Sequence, residues 1–509
     1  MDVDLLIVGG GINGAGIARD AAGRGLKVLL CEQDDLAAHT SSSSTKLIHG
    51  GLRYIEQYEF ALVRKALQER ERLIEAAPHI IWPLRFVLPH DAHLRPVWVI
   101  RAGLFLYDHL ARRRRLPSSK AVNLRTHPAG AALDPHFSRG FEYSDAWVDD
   151  ARLVVLNAMD AAARGATILT RTRFAAAVPD GPRWRATLVS NGATREIRAM
   201  LIVNAAGPWV DKVEGLALGS ESAKGVRLVK GSHIIVRRLF THQYAYIFQN
   251  PDGRIIFAIP YEGDFTLIGT TDVEFAGDPA AVAIDDGEMR YLRDMANRYF
   301  RADIQARDIV RSYAGVRPLL DDESADPATI TRDYSLEWLQ SLAPMLSVYG
   351  GKITTYRRLA EEAVDRIIER FDRTASGRRA AADSRSRPER KPWTAQAPLP
   401  GGDMPDADFE RFLQSALVSY PWLPAPLLQR YARAYGTRIR ALLGSATGLG
   451  DLGSEVLPGL YAREIQYLRE HEWARTAEDV LWRRSKLGLH LPGTALQTLD
   501  RWLSDLSHA

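Results

Sequence analysis

The sequence predicts an α/β architecture with a Rossmann-like nucleotide-binding domain, a β-rich second domain and an all-helical C-terminal domain. Three observations carry this. A strand, a G-x-G-x-x-G turn, a helix and a second strand follow one another over residues 5–31. Further β-rich runs alternate with helical patterns to about residue 370. Residues 372–392 then hold Arg, Ala, Ser and Asp with no large apolar side chain, the composition of a solvated linker, and beyond them apolar residues recur at helical spacing without strand alternation.

The bulk properties agree. A chain of 509 residues accommodates roughly three folding units at about 150 residues each. With 46% hydrophobic and 25% charged residues and a mean hydropathy of −0.19, it is neither a disordered chain nor an integral membrane bundle. The 66 Lys+Arg against 62 Asp+Glu leave +4, too balanced for a nucleic-acid binder despite a pI near 9.0. No apolar run reaches the roughly 20 residues a spanning helix needs. Met1-Asp2-Val3-Asp4 places acid where a signal peptide needs base, so a cytoplasmic location is expected, with membrane contact from one side only. Cys31 is the single cysteine, which excludes a disulfide framework, an iron–sulfur cluster and a zinc ribbon. Redox chemistry here requires an organic cofactor, and no metal site is expected.

Residues 5–8 read as the first strand, 12–24 as a helix closed by Gly25, and 28–31 as the second strand. Between them Gly9 permits the tight turn, Gly11 lets backbone approach a pyrophosphate, Gly14 lets helix and strand pack, and the helix N-terminus favours an anion. Glu32, eighteen residues after Gly14, stands where an acceptor for the adenosine ribose is needed. Strands are expected at 167–170, 201–204 and 234–236, and a helix at 150–164. Two further glycine turns, at Ala206-Gly207 and at Gly350-Gly351-Lys352 before a helix at 357–368, favour FAD over NAD, because an NAD domain has no need of them. Helices over 409–420, 425–435 and 461–472 complete the C-terminal part.

A serine-rich run lies between the second strand and the next helix. It holds Thr40, Ser41, Ser42, Lys46, Leu47, His49 and Gly50, and reads either as a flexible linker or as a loop wrapping a phosphate-rich cofactor; the cations and glycines at its end favour the loop. Residues 94–111, apolar and aromatic and followed by Arg112 to Arg115, read equally as an interfacial helix or as a core helix with a solvated charge run.

Residues 8–25, VGGGINGAGIARDAAGRG, and 350–357, GKITTYR preceded by Gly350, resemble the paired signature of FAD-dependent glycerol-3-phosphate dehydrogenases of the aerobic bacterial type. The likeness continues through 46–54, 141–152, 230–233, 269–272, 313–318 and 331–334 and covers nearly the whole chain, least of all the linker. It implies an FAD domain of the glutathione-reductase/D-amino-acid-oxidase type from 1–85, 140–225 and 310–371. A substrate domain with a membrane-facing segment is expected from 86–139 and 226–309, a linker over 372–392 and a helical domain over 393–509. It implies oxidation of sn-glycerol 3-phosphate to dihydroxyacetone phosphate, noncovalent FAD, and electron transfer to ubiquinone or menaquinone at an anionic membrane surface on the inner face of the cytoplasmic membrane. A homodimer is the expected assembly.

The resemblance places Asn13, Ile353 and Thr354 with the cofactor. It places Arg53, Tyr54, Thr270, Arg317, Arg332 and Lys352 in the substrate pocket, where a phosphomonoester dianion needs several cations. Lys352 is one of only ten lysines against fifty-six arginines, which sharpens its case. His233, at the start of an apolar strand, matches the family's active-site histidine; either it or Arg317 acts as the base. A related oxidase that uses oxygen is the alternative enzyme. A flavin-dependent RNA-modifying protein is disfavoured by the near-zero net charge and the lack of an RNA-reading module.

Overall fold

The computed structural model describes residues 1–91, 94–219, 226–320, 333–339, 341–376 and 391–508. The first sheet is built on the parallel strands Thr167–Leu169, Val28–Cys31, Asp2–Val8, Ala193–Asn204 and Met345–Tyr349, in that spatial order, with Ser335–Leu339 antiparallel at the edge. Val28–Cys31 and the 5–8 stretch of the first strand are near-continuous apolar runs because both faces are covered, one by helices and the other by a β-hairpin and the helix Val210–Leu218. The helices Ile12–Gly23, Asp150–Ala163 and Tyr356–Ser376 pack together on one face. A hairpin, Arg173–Asp180 with Arg183–Ser190, pairs with the Ala193–Asn204 strand and packs Phe174, Ala177 and Trp184 into the core on the other face.

The second sheet has ten strands and is mixed. Its central members run Val226–Arg237, Phe265–Gly269, Ile255–Tyr261, Ala245–Gln249, Ile81–Pro89 and Arg139–Val148. Ile309–Leu320 pairs with the other edge of Val226–Arg237 over its whole length. Three segments expected in the cofactor domain therefore belong elsewhere. Leu47–Ile48, the Arg139–Val148 strand and the Ile309–Leu320 strand are hydrogen-bonded into the second sheet, as is all of Ile81–Pro89, which the expected boundary at 85 divided. Strand pairing is non-local, and nothing in the apolar pattern of these runs tells one sheet from the other.

The C-terminal domain forms its own core from Ala425–Tyr435, Ile439–Leu443, Ala462–Glu472 and Ala495–His508. It is not all-helical, since Glu455–Leu457 and Leu460–Tyr461 pair as a short hairpin. Helix Tyr356–Ser376 runs into the expected linker, and residues 377–390 of that linker lie outside the described residues. The chain then returns to the first domain at Trp393, whose indole donates to Asp20 O at 3.2 Å and stacks beneath the Arg164 guanidinium at 3.8 Å. Helix Val97–His109 buries Leu104, Tyr107 and Asp108 and leaves Trp98 73% and Phe105 63% exposed.

Candidate functional site

The first glycine turn is packed backbone against backbone. A Cβ at Gly9 would stand 2.4 Å from Ala205 O, and one at Gly14 only 1.9 Å from Gly9 O. This close approach lets helix Ile12–Gly23 begin directly at the end of the first strand. No side chain caps that helix at Gly11, and Ile12 N–H donates to Ser41 Oγ at 3.0 Å. Ser41 thus meets the first amide, and the helix N-terminus presents the positive end of its dipole to the space in front of it, which suits a pyrophosphate.

A cavity opens in front of it, walled by Gly9, Gly11, Asn13, Glu32, Thr40, Ser41, Ala206, Gly207 and Gly351 from the predicted set. Thr172, Trp209 and Lys212 also line it, and no motif marks them in the sequence. Glu32 Oε2 accepts from Gly10 N at 2.7 Å and Oε1 from Asp34 N at 2.9 Å, so the carboxylate fixes the glycine turn as well as facing the cavity; burial raises its pKa. Asn13 joins the first and third glycine turns by donating from Nδ2 to Gly350 O at 3.2 Å, while its buried Oδ1 has no protein partner among the described residues. An orphaned buried acceptor, a helix N-terminus and glycines at the walls together fit a bound dinucleotide.

A second cavity meets the first at Ile12, Thr40, Ser41, Pro318 and Gly351. Its wall includes Leu47, His49, Arg53, Tyr54, Thr270, Arg317, Lys352, Ile353 and Thr354, bringing together segments more than 250 residues apart. Lys352 Nζ lies 3.9 Å over the Tyr54 ring. Arg317 Nη1 donates to Asp272 Oδ1 at 2.6 Å. Asp272 lies in one of the family-like segments, yet sequence reasoning gave it no role; an acid inside a cationic pocket carries no pattern that marks it.

Several expected residues stand behind the walls. Lys46 is buried in an ion pair with Asp150 at 2.9 Å and also donates to Ser42 O, so its charge is spent on the loop. Ser42 Oγ donates to His39 O, Gly50 N donates to Tyr107 OH, and Gly14 packs on Gly9. Arg332 lies outside the described residues. His233 does not reach the cavity surface. It is 1% exposed, stacked on Tyr313 with ring centroids 4.8 Å apart, and its Nε2 lies 3.0 Å from Oγ1 of Thr45, which does line the cavity. Burial, then the charges of Lys46 and Arg317, hold its pKa well below 6.5. The ring is therefore neutral at physiological pH, the state a proton acceptor requires.

Comparison with known proteins shows the family. Residues 4–378 match the family described as FAD dependent oxidoreductase, and residues 392–507 match the C-terminal domain of alpha-glycerophosphate oxidase. A glycerol-3-phosphate dehydrogenase of Pseudomonas aeruginosa is 52% identical over 503 residues, 98% of this chain and 94% of that one. A D-erythritol 1-phosphate dehydrogenase of Brucella abortus is 48% identical over 505 residues, 99% of this chain and 98% of that one. The solved structure of a glycerol-3-phosphate dehydrogenase from Bacillus halodurans, complexed with FAD, superposes with a TM-score of 0.79 at 29% identity, covering 99% of this chain and 90% of that one.

Proposed function

The chain belongs to the FAD-dependent oxidoreductase family, in its glycerol-3-phosphate dehydrogenase branch, and from that premise we propose that it oxidises sn-glycerol 3-phosphate to dihydroxyacetone phosphate. FAD, when bound, supplies the acceptor for the hydride that leaves C2. The observation that carries the substrate reading is that Arg53, Arg317 and Lys352 all line one cavity, which adjoins the dinucleotide cavity. Charge-assisted bonds from these groups hold the phosphate dianion and aim C2 toward the cavity junction at Gly351. Arg332, outside the described residues, belongs to the same expected set. Asp272 fixes the Arg317 guanidinium in plane. The proton of the C2 hydroxyl passes through Thr45 Oγ1 to His233 Nε2.

The test is anaerobic bleaching of the flavin. sn-Glycerol 3-phosphate is expected to bleach it, and glycerol and an amino acid to leave it yellow; bleaching by glycerol alone removes the phosphate clamp from the reading. D-Erythritol 1-phosphate belongs in the same panel, because a relative 48% identical bears that substrate in its name. If it is oxidised with the higher kcat/KM, it displaces glycerol 3-phosphate as the substrate.

The electron acceptor we infer is a membrane quinone, ubiquinone or menaquinone. No helix among the described residues is long and apolar enough to cross a membrane, so contact with the bilayer is from one side. Tyr58 is 80% exposed, close in sequence to the cavity residues Tyr54 and Gln57, and the Arg95–Glu56 ion pair at 3.5 Å ties its loop to the start of the helix that exposes Trp98 and Phe105. An aromatic surface beside the cavity suits docking on lipid and entry of an apolar acceptor. Of the neighbouring arginines, Arg113 is paired with Asp108, Arg115 with Asp406 O and Arg114 with Glu75 at 3.4 Å; Arg112 and Arg114 are exposed. These two contribute about 1 kcal/mol each of attraction to anionic lipid. The parent protein is expected to float with anionic vesicles in low salt, and a variant with Trp98→Ser, Phe105→Ser, Arg112→Gln and Arg114→Gln to stay at the bottom of the gradient. Equal flotation of the two moves the docking surface elsewhere.

A further inference from the structure

The loop from Glu32 to Lys46 walls both cavities through Glu32, His39, Thr40, Ser41 and Thr45. Its backbone is not one the sequence prefers. Ala37 and Lys46 both stand at φ +60°, a left-handed conformation disfavoured for residues with side chains and kept only where the surroundings impose it.

Much of what surrounds this loop comes from the C-terminal domain. Asp35, 1% exposed, accepts from Arg484 Nη1 and Nη2 at 2.8 Å each and from Arg483 Nε at 2.7 Å. Both arginines sit on a single π-helical turn, Asp479–Arg484. Asp479 of that turn accepts from Arg171 Nη2 at 2.7 Å, and Arg171 N in turn donates to Asp34 O at 2.8 Å, beside the Thr172 N to Glu32 O bond at 2.7 Å. The other end of the loop is held as well. Lys46 rests on Asp150 in the first turn of helix Asp150–Ala163. In the same turn Arg152 Nη2 donates to Glu472 Oε1 at 3.0 Å, and Lys486 Nζ lies 3.3 Å from Asp149 Oδ1.

We propose that the C-terminal domain is a cofactor-retention clamp, in which Arg483 and Arg484 position the Glu32–Lys46 loop through Asp35 and so set the affinity for FAD. The proposal rests on the FAD reading above and assigns these arginines no contact with substrate. The planar guanidinium fork of Arg484 fixes direction as well as distance at Asp35, which a point charge would not. Because the groups are buried, the grip is little screened by salt.

The experiment titrates FAD into the deflavinated full-length chain, reading flavin fluorescence, with the melting of the apo-protein followed by circular dichroism. Arg484→Gln is expected to raise the Kd for FAD tenfold or more, with the KM for sn-glycerol 3-phosphate unchanged at saturating FAD. The control is Arg430→Gln, which breaks a comparable bidentate pair with Glu464 at 2.6 and 2.7 Å inside the C-terminal domain; it is expected to lower the melting temperature and leave the Kd alone. If Arg484→Gln does not fold, Arg483→Gln, whose side chain is 12% exposed, decides by the same measurement with a smaller expected rise of a few fold. A Kd equal to that of the parent in the arginine variants overturns the clamp, and so does an equal rise in the Arg430→Gln control, which would make the effect one of general stability. A parent chain that takes up no FAD takes down the cofactor reading itself, an outcome the parent titration reports separately.

Discussion

Replacing His233 by Asn is expected to slow anaerobic flavin reduction by about two to four orders of magnitude, the usual range for loss of a general base. FAD content should stay at the parent level, because His233 lies on the substrate side of the junction and lines neither cavity. The pH profile supplies the independent check. The folded-state pKa of His233 lies well below 6.5, since burial and the nearby Lys46 and Arg317 charges disfavour the imidazolium. The ring therefore stays neutral as pH falls through 6.5, and the acid limb of kcat/KM should lie below the ordinary histidine range rather than at its centre. In His233→Asn that limb disappears. If the variant reduces flavin at the parent rate across neutral pH, the base is Arg317 or a bound water.

Gly14→Ala is the second large effect, and it falls on the cofactor instead. The added methyl would meet Gly9 O at 1.9 Å, far inside contact distance, and the obstacle is backbone on both sides. Helix Ile12–Gly23 has to slide outward, carrying its N-terminus away from the strand ends. Overpacking of this kind costs about 1 to 3 kcal/mol and here also moves the amides that face the pyrophosphate. The variant is expected to purify colourless with a lowered melting temperature, and the parent to be yellow and to release intact FAD on denaturation. The measurements are the ratio of flavin to protein absorbance and a thermal melt; a stoichiometrically flavinated variant with the parent's stability would separate the glycine turn from cofactor binding.

What the sequence made legible was local. The strand, turn and helix over residues 2–23 and the acid at 32 follow from spacings within about thirty residues, although the close approach that demands glycine at position 9 comes from Ala205. Arg53, Arg317 and Lys352 are legible as pocket candidates because they stand in family-like segments. The misses are all choices of distant partner. Leu47, Trp147 and Tyr313 lie in strands whose sheet is decided by pairing and not by their own pattern. Lys46 looked like a phosphate ligand because the sequence shows a cation among serines and glycines, and only the fold shows Asp150 beneath it. His233 is legible as a candidate from its family-like segment, but its place behind Thr45 is not, since the two stand 188 positions apart and nothing between them carries a trace of the contact. The same is true of Asp35 and Arg484, which are 449 residues apart.

The strand order of the first sheet has a consequence for how the protein comes into being. Val8 is paired with Asn204, and Asn204 in turn with Ser347. On the ribosome the opening strand and its glycine turn emerge first but have no neighbour on one edge until Asn204 follows. At about 5 to 20 residues per second, that interval is on the order of 10 to 40 s. Through it an apolar strand edge is left open to any other unpaired chain, the condition under which nascent proteins need chaperone protection. The flavin site, drawing on residues on both sides of 350, cannot exist before most of the chain has been made, so cofactor loading is necessarily a late event in biosynthesis.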